Sequence, residues 1–193
     1  MLTKILKIFG PELIDSLTKK VETFLGTPRL VCIIYYMGRN IKQVRPNKRY
    51  KAGCINPASC KKLFESQKHT PIIYRSSYEK DFVYWLERSK KVLHWGSECV
   101  GIPYINMFDG SHHTYYPDYV VEMQTPEGQP YLVFVEVKPY NQTVPPDSNL
   151  PRDSYAWREY VKNRSKWKAA KEFCERNGAT FHIITERTIQ RLG

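Results

Sequence analysis

The sequence predicts an α/β fold: a mixed central sheet of about four strands flanked by helices, with an N-terminal amphipathic helix and a basic arm ahead of it. Three observations carry the prediction. From residue 74 onward the apolar pattern runs helix, three strands, helix, strand. The turn sequence TPEGQP at 125–130 joins two strand-like runs and makes them an antiparallel hairpin. A length of 193 residues with 41% apolar composition suits one compact domain carrying appendages, and excludes disorder as the main state.

Taken in order, residues 1–26 place Leu2, Leu6, Phe9, Leu13, Leu17, Val21 and Phe24 at steps of three and four. This is the apolar stripe of an amphipathic helix, which Pro11 kinks or restarts. Such a stripe packs on the body or on a second copy of the chain, so a homo-oligomer formed through this helix is an expectation. Arg29–Met37 reads as a short buried strand. Residues 39–51 then hold Arg39, Lys42, Arg45, Lys48, Arg49 and Lys51 without an acid, an extended cationic arm. The natural boundary divides 1–49 from a domain at 50–193.

Within that domain, Ser76 or Ser77 caps a helix to about Ser89 with Phe82, Trp85 and Leu86 inward. His94–Ile102, Thr114–Met123 and Tyr131–Lys138 read as strands, with His112 and His113 as loop residues before the second. A Pro-rich loop fills 139–152. Asp153–Asn177 is a long helix stopped by Asn177-Gly178, and the strand Thr180–Thr185 precedes a short helical tail.

The charge is unevenly placed. Residues 1–70 hold 14 Lys and Arg against four acids, a net of +10, whereas the remainder holds 16 against 15. A cationic third on a near-neutral body points to phosphate-bearing partners, double-stranded DNA first among them. The longest apolar run, Leu30–Met37, is far short of the roughly 20 residues that span a bilayer, so no membrane partner is expected. Five cysteines at irregular spacing read as reduced thiols.

Asp118 in YYPDYVV, and Glu136 and Lys138 in FVEVKP, carry the chemistry. On a strand, residues i and i+2 share a face, so Glu136, Lys138 and Phe134 project together while Val135 and Val137 point away. Asp118, on the partner strand, converges on them. Hard carboxylate oxygens suit Mg²⁺, with Mn²⁺ as an alternative ion, and an ammonium beside them can orient water or offset charge on a phosphate. Glu79 could complete the metal shell, giving Glu79, Asp118 and Glu136 as candidate ligands. Ser76-x-x-Glu79 also reads as a capping box. Glu136 and Lys138 end the apolar run LVFV, where charge is costly unless paired. P-D followed by E-x-K is the sparse signature of the restriction-endonuclease-like nuclease core. Arg75, Lys162, Asn163 and Lys166 are further candidates for DNA contact, with Arg45, Lys48 and Arg49 of the arm.

Five stretches, IIYRSSYEKDF (72–82), HWGSECVGIPY (94–104), DGSHHTYYPDYVVEM (109–123), VFVEVKPYNQTVPP (133–146) and KNRSKWKAAKEFCERNGATFHIITE (162–186), resemble the head completion nucleases of contractile-tailed bacteriophages. The resemblance covers about residues 50–190. It implies a restriction-endonuclease-like fold, Glu79, Asp118, Glu136 and Lys138 as the catalytic set, and Mg²⁺ as cofactor. It also implies a nuclease of the infected host cytoplasm acting late in virion assembly, when a DNA-filled head is trimmed or sealed for tail joining. Phage head and neck proteins would be partners, and retention in the virion an extension of that role. Glu98 matches a W-x-S-E motif without an assigned role. The first 45 or so residues are an addition to the family pattern. A structural neck component with a secondary nuclease site, or a resolvase or transposase subunit, are the competing readings.

Overall fold

In a computed structural model, residues 52–192 are described. The amphipathic helix, the Arg29–Met37 strand and the arm residues Arg45, Lys48 and Arg49 lie outside them. The described chain forms β1 (Gly53–Ile55), β2 (Ile72–Tyr74), α1 (Ser77–Arg88), β3 (Val92–Ser97), β4 (Ile102–Ile105), β5 (His112–Tyr115), β6 (Tyr119–Gln124), β7 (Pro130–Val137), α2 (Tyr155–Arg176), β8 (Thr180–Ile184) and α3 (Glu186–Leu192).

The central sheet has the order β3-β6-β7-β8. Its first three strands are antiparallel, and β8 joins parallel to β7. Parallel pairing requires a long crossover, which the 22 residues of α2 supply. The sheet is therefore mixed, four-stranded and covered by helices, as the sequence predicts. Side-chain alternation sorts its core into two layers. Val120 and Phe134 pack with Ala170 and Cys174 of α2. Tyr119, Val121, Val133, Val135 and Val137 pack with Phe82, Val83 and Leu86 of α1. Both faces are buried, which is why β7 reads as an almost unbroken apolar run.

The start of α1 is fixed by Ser76, whose Oγ accepts from the Glu79 N–H at 3.2 Å and donates to Glu79 Oε1 at 2.9 Å. Phe82 and Leu86 point inward as predicted, and half-buried Trp85 packs against the same core beside Phe82. The four described cysteines, Cys54, Cys60, Cys99 and Cys174, are free thiols. Among the described residues no helix is long and apolar enough to cross a membrane.

Two predicted strands are each broken. The run His94–Ile102 ends in the sheet at Ser97 and resumes at Ile102, because Glu98 has a left-handed backbone (φ 46°) that extended structure cannot contain. The run Thr114–Met123 divides into β5 and β6 around buried Pro117, which has no N–H to give a ladder. Apolar burial continues through both breaks, since Cys99 and Val100 in one and Pro117 in the other remain buried, so periodicity conceals them. β4 and β5 pair as a separate ribbon, and His112 and His113 belong to β5 and not to a loop. Asp118 consequently sits just ahead of β6. The Pro-rich loop contains one 3₁₀ turn at Tyr140–Gln142, and α2 begins at Tyr155, two residues later than expected.

Candidate active site

β6 and β7 pair with Tyr119 opposite Val135, which sets Asp118 at the end of the sheet beside Glu136. Two backbone contacts hold it there. Its Oδ2 accepts the Val137 N–H at 2.8 Å, and its carbonyl oxygen accepts the Glu98 N–H at 3.0 Å. Glu136 is almost fully buried, its side chain 3% exposed. The Tyr115 hydroxyl donates to Glu136 Oε2 at 2.6 Å, and Lys138 Nζ lies 3.1 Å from Oε1. These partners explain how a carboxylate is tolerated after LVFV.

The electrostatics follow from burial and crowding. Burial pushes the Asp118 carboxyl well above the usual range, and the neighbouring Glu136 charge adds to the rise, while Lys138 opposes it. Glu79 is also raised, again by burial, against the lowering effect of its bonds to the Arg75 N–H and Ser76. Burial disfavours the Lys138 ammonium, but Glu136 and Asp118 outweigh it and its pKa rises. Lys138 thus stays cationic among acids that repel one another.

The Tn7-type profile described as TnsA-like endonuclease N terminal matches residues 89–186, a span from the end of α1 through β8 that contains Asp118, Glu136 and Lys138. The chain belongs to this TnsA-like endonuclease family. Its fold is accordingly restriction-endonuclease-like, in agreement with the mixed sheet. The head completion nuclease of Enterobacteria phage T4 is 34% identical over 132 residues, covering 63% of this chain and 83% of that protein.

As a TnsA-like endonuclease, the chain brings Asp118, Glu136 and Lys138 together and keeps Glu79 at one remove. Glu79 Oε1 accepts from Ser76 Oγ, and its Oε2 accepts the Arg75 N–H at 2.9 Å, one residue before the usual capping-box donor. Both predicted uses of Glu79 therefore compete for the same oxygens. Among the described residues, no three His, Cys, Asp or Glu side chains stand close enough, as placed, to hold a metal ion. Asp118 and Glu136 remain as a carboxylate pair, and Mg²⁺ commonly takes only one or two carboxylates and completes its shell with water. Their repulsion is the kind a cation relieves, so this donor chemistry fits the ion.

Arg75 is partly exposed and grips Glu98 through two nitrogens, at 2.7 and 3.4 Å. Lys162 and Lys166 are half-buried on α2, with Lys166 Nζ 5.7 Å from the centre of the Tyr115 ring. Burial, helped by Lys138 and Lys162, lowers the Lys166 pKa despite the opposing charge of Glu136. Asn163 is buried at 8% exposure, so it is withdrawn from the surface that Lys162 reaches. Tyr115 was not legible as a site residue: it stands three positions before Asp118, inside a run read as one strand from Thr114, and its own spacing does not mark it out.

Proposed function

We propose that this chain is a divalent-metal-dependent DNA endonuclease that acts in bacteriophage head completion, cleaving or trimming packaged DNA before tail joining. The observation that carries the proposal is the cluster of buried Glu136 with half-buried Asp118 and Lys138, held in place by the Val137 N–H and the Tyr115 hydroxyl. Membership of an endonuclease family and likeness to a head completion nuclease support it.

Asp118 and Glu136 would hold Mg²⁺, or Mn²⁺, with Glu79 joining if it leaves the α1 cap. When bound, the ion would supply Lewis-acid stabilisation of the phosphate and a lowered pKa for the attacking water. The protein's own groups do the rest. Tyr115 fixes the rotamer of Glu136, and the Val137 N–H aims one oxygen of Asp118. Lys138, kept protonated by its acidic neighbours, orients water and offsets charge growing on the phosphate oxygens. Lys166 and Arg75 add positive charge at the rim. DNA is the substrate, phage head and neck proteins the partners, and the infected host cytoplasm, with virion retention, the setting.

Purified full-length chain should nick supercoiled plasmid with Mg²⁺ or Mn²⁺ and not with EDTA. Asp118→Ala and Glu136→Ala should each abolish nicking while the thermal unfolding transition persists. Cleavage by either variant at the wild-type rate would sink the assignment. Linear and branched DNA in the same assay separate a general endonuclease from a resolvase- or transposase-type enzyme.

A further inference from the structure

The strongest feature outside the catalytic cluster is the tip of the β4–β5 ribbon. Ile105, Met107 and Phe108 are 53%, 68% and 40% exposed, an apolar group pushed into solvent. The turn that presents them is internally satisfied. Buried Asn106 accepts the Phe108 N–H on its side chain and the Gly110 N–H on its carbonyl, and its own N–H reaches the Ser111 carbonyl. Asp109 is turned onto the N–H and hydroxyl of Ser111. The Met107 N–H donates to Ser165 Oγ of α2 at 3.0 Å. The tip is therefore a braced projection that leaves Met107 and Phe108 exposed at its end.

The other end of the same ribbon is Tyr115, whose hydroxyl holds Glu136. Between tip and site, α2 runs alongside and offers a cation at each turn. The Arg158 guanidinium lies 5.0 Å from the centre of the Phe108 ring. Lys162, paired with Glu159 at 3.1 Å, is near enough to Tyr104 of β4 for its charge to oppose the rise that burial causes in the Tyr104 pKa. Lys166 lies over Tyr115. Steps of four residues keep all three on one stripe, and eight residues of helix span about 12 Å. At about 3.4 Å of rise per nucleotide, that distance is three to four nucleotides of a DNA strand.

From this alignment we infer that Met107 and Phe108 form a wedge that stacks against DNA bases three to four nucleotides from the scissile phosphate. Arg158, Lys162 and Lys166 follow the intervening phosphates. The inference rests on the DNA nuclease reading and extends it to how substrate is held. Apolar wedges that unstack a base step bend the duplex and favour sites already weakened by a mismatch or gap. The row of cations leading into the site favours DNA over a protein as the occupant, since a solely protein-binding tip has no need of it.

The test is binding of full-length protein to a duplex carrying 2-aminopurine, in EDTA so that no turnover occurs. Wild type should raise the fluorescence as bases unstack. The Met107→Ala/Phe108→Ala double variant should lose that rise and bind on the order of tenfold more weakly, as expected for a removed stacking contact. Its deficit should shrink on a duplex with an unpaired base, and Phe108→Trp should retain wild-type behaviour. Arg158→Ala with Lys162→Ala should lower the salt slope of binding by about two. Because the wedge side chains are exposed, an unchanged melting temperature separates these effects from misfolding. Equal fluorescence and affinity for wild type and double variant would overturn the wedge and leave the tip to a protein partner. Wild type that unstacks DNA yet never cuts it with metal would instead keep the wedge and refute the nuclease reading.

Discussion

Replacing Tyr115 by Phe removes one oxygen atom and isolates what orients Glu136. That hydroxyl is buried and donates at 2.6 Å, and among the described residues it is a neutral donor to this carboxylate beside the Lys138 ammonium. A hydrogen bond to a charged group contributes about 1.5–3 kcal/mol. Its loss should lower unfolding free energy by about that amount, measured in urea, because Glu136 cannot reach water to replace it. If the same bond fixes the carboxylate in the reacting complex, nicking should slow by roughly 10- to 100-fold, at 1.4 kcal/mol per factor of ten. A double-mutant cycle with Glu136→Gln tests the route: Tyr115→Phe should cost markedly less in that background. Undiminished stability and unchanged nicking in Tyr115→Phe would refute the idea that Tyr115 positions Glu136.

Glu79 offers a sharper separation of roles. Glu79→Gln keeps the neutral half of the α1 cap and should cost little stability, whereas Glu79→Ala should cost about 0.5–2 kcal/mol in thermal or urea unfolding. A metal-ligand role predicts that Gln and Ala impair cleavage alike, while a purely capping role predicts that Gln cleaves as wild type. Gly96→Ala tests packing under β3, since a Cβ there would stand 2.7 Å from Phe64 Cδ2 and 2.9 Å from Gln67 Oε1. Crowding of that kind should cost about 1–3 kcal/mol, a melting point several degrees lower in calorimetry.

How much could be read in advance depended on whether a feature is local in sequence. The alternation that puts Phe134 on one face and Val135 and Val137 on the other was visible, and it placed Glu136 and Lys138 together correctly. So was the Ser76 cap, because capping chemistry lies within four residues. Contacts between distant elements were not visible. Tyr115 reaches Glu136 across 21 residues, and Arg75 reaches Glu98 across 23. Asn163 looked like a neighbour of Lys162 and Lys166 on an outer helical face, yet α2 buries it, since helical spacing alone does not say which arc of the stripe meets the core.

The two broken strands show why the site lies where it does. β3 pairs with β6 as far as Ser97 opposite Tyr119, and β4 pairs with β5 from Ile102 opposite Tyr115. The same two chain segments are therefore partners on both sides of the break, and the misread long strands are one hairpin with a crease. The crease is made by the left-handed Glu98 on one segment and by Pro117 on the other, and the Glu98 N–H closes it by donating to the Asp118 carbonyl. Had the ladder continued, Asp118 would be an ordinary sheet residue with its backbone engaged on both sides. Because it stops, Asp118 stands at the rim of the sheet, near Glu136 and with Oδ2 on the Val137 N–H, and the ribbon beyond is released to lean on α2. One interruption thus positions the first acid of the candidate active site and carries the Met107–Phe108 tip to the end of the row of α2 cations. The non-glycine left-handed residue is tolerated at a cost of roughly 1–3 kcal/mol, and Arg75 holding its side chain gives that strained position a second anchor.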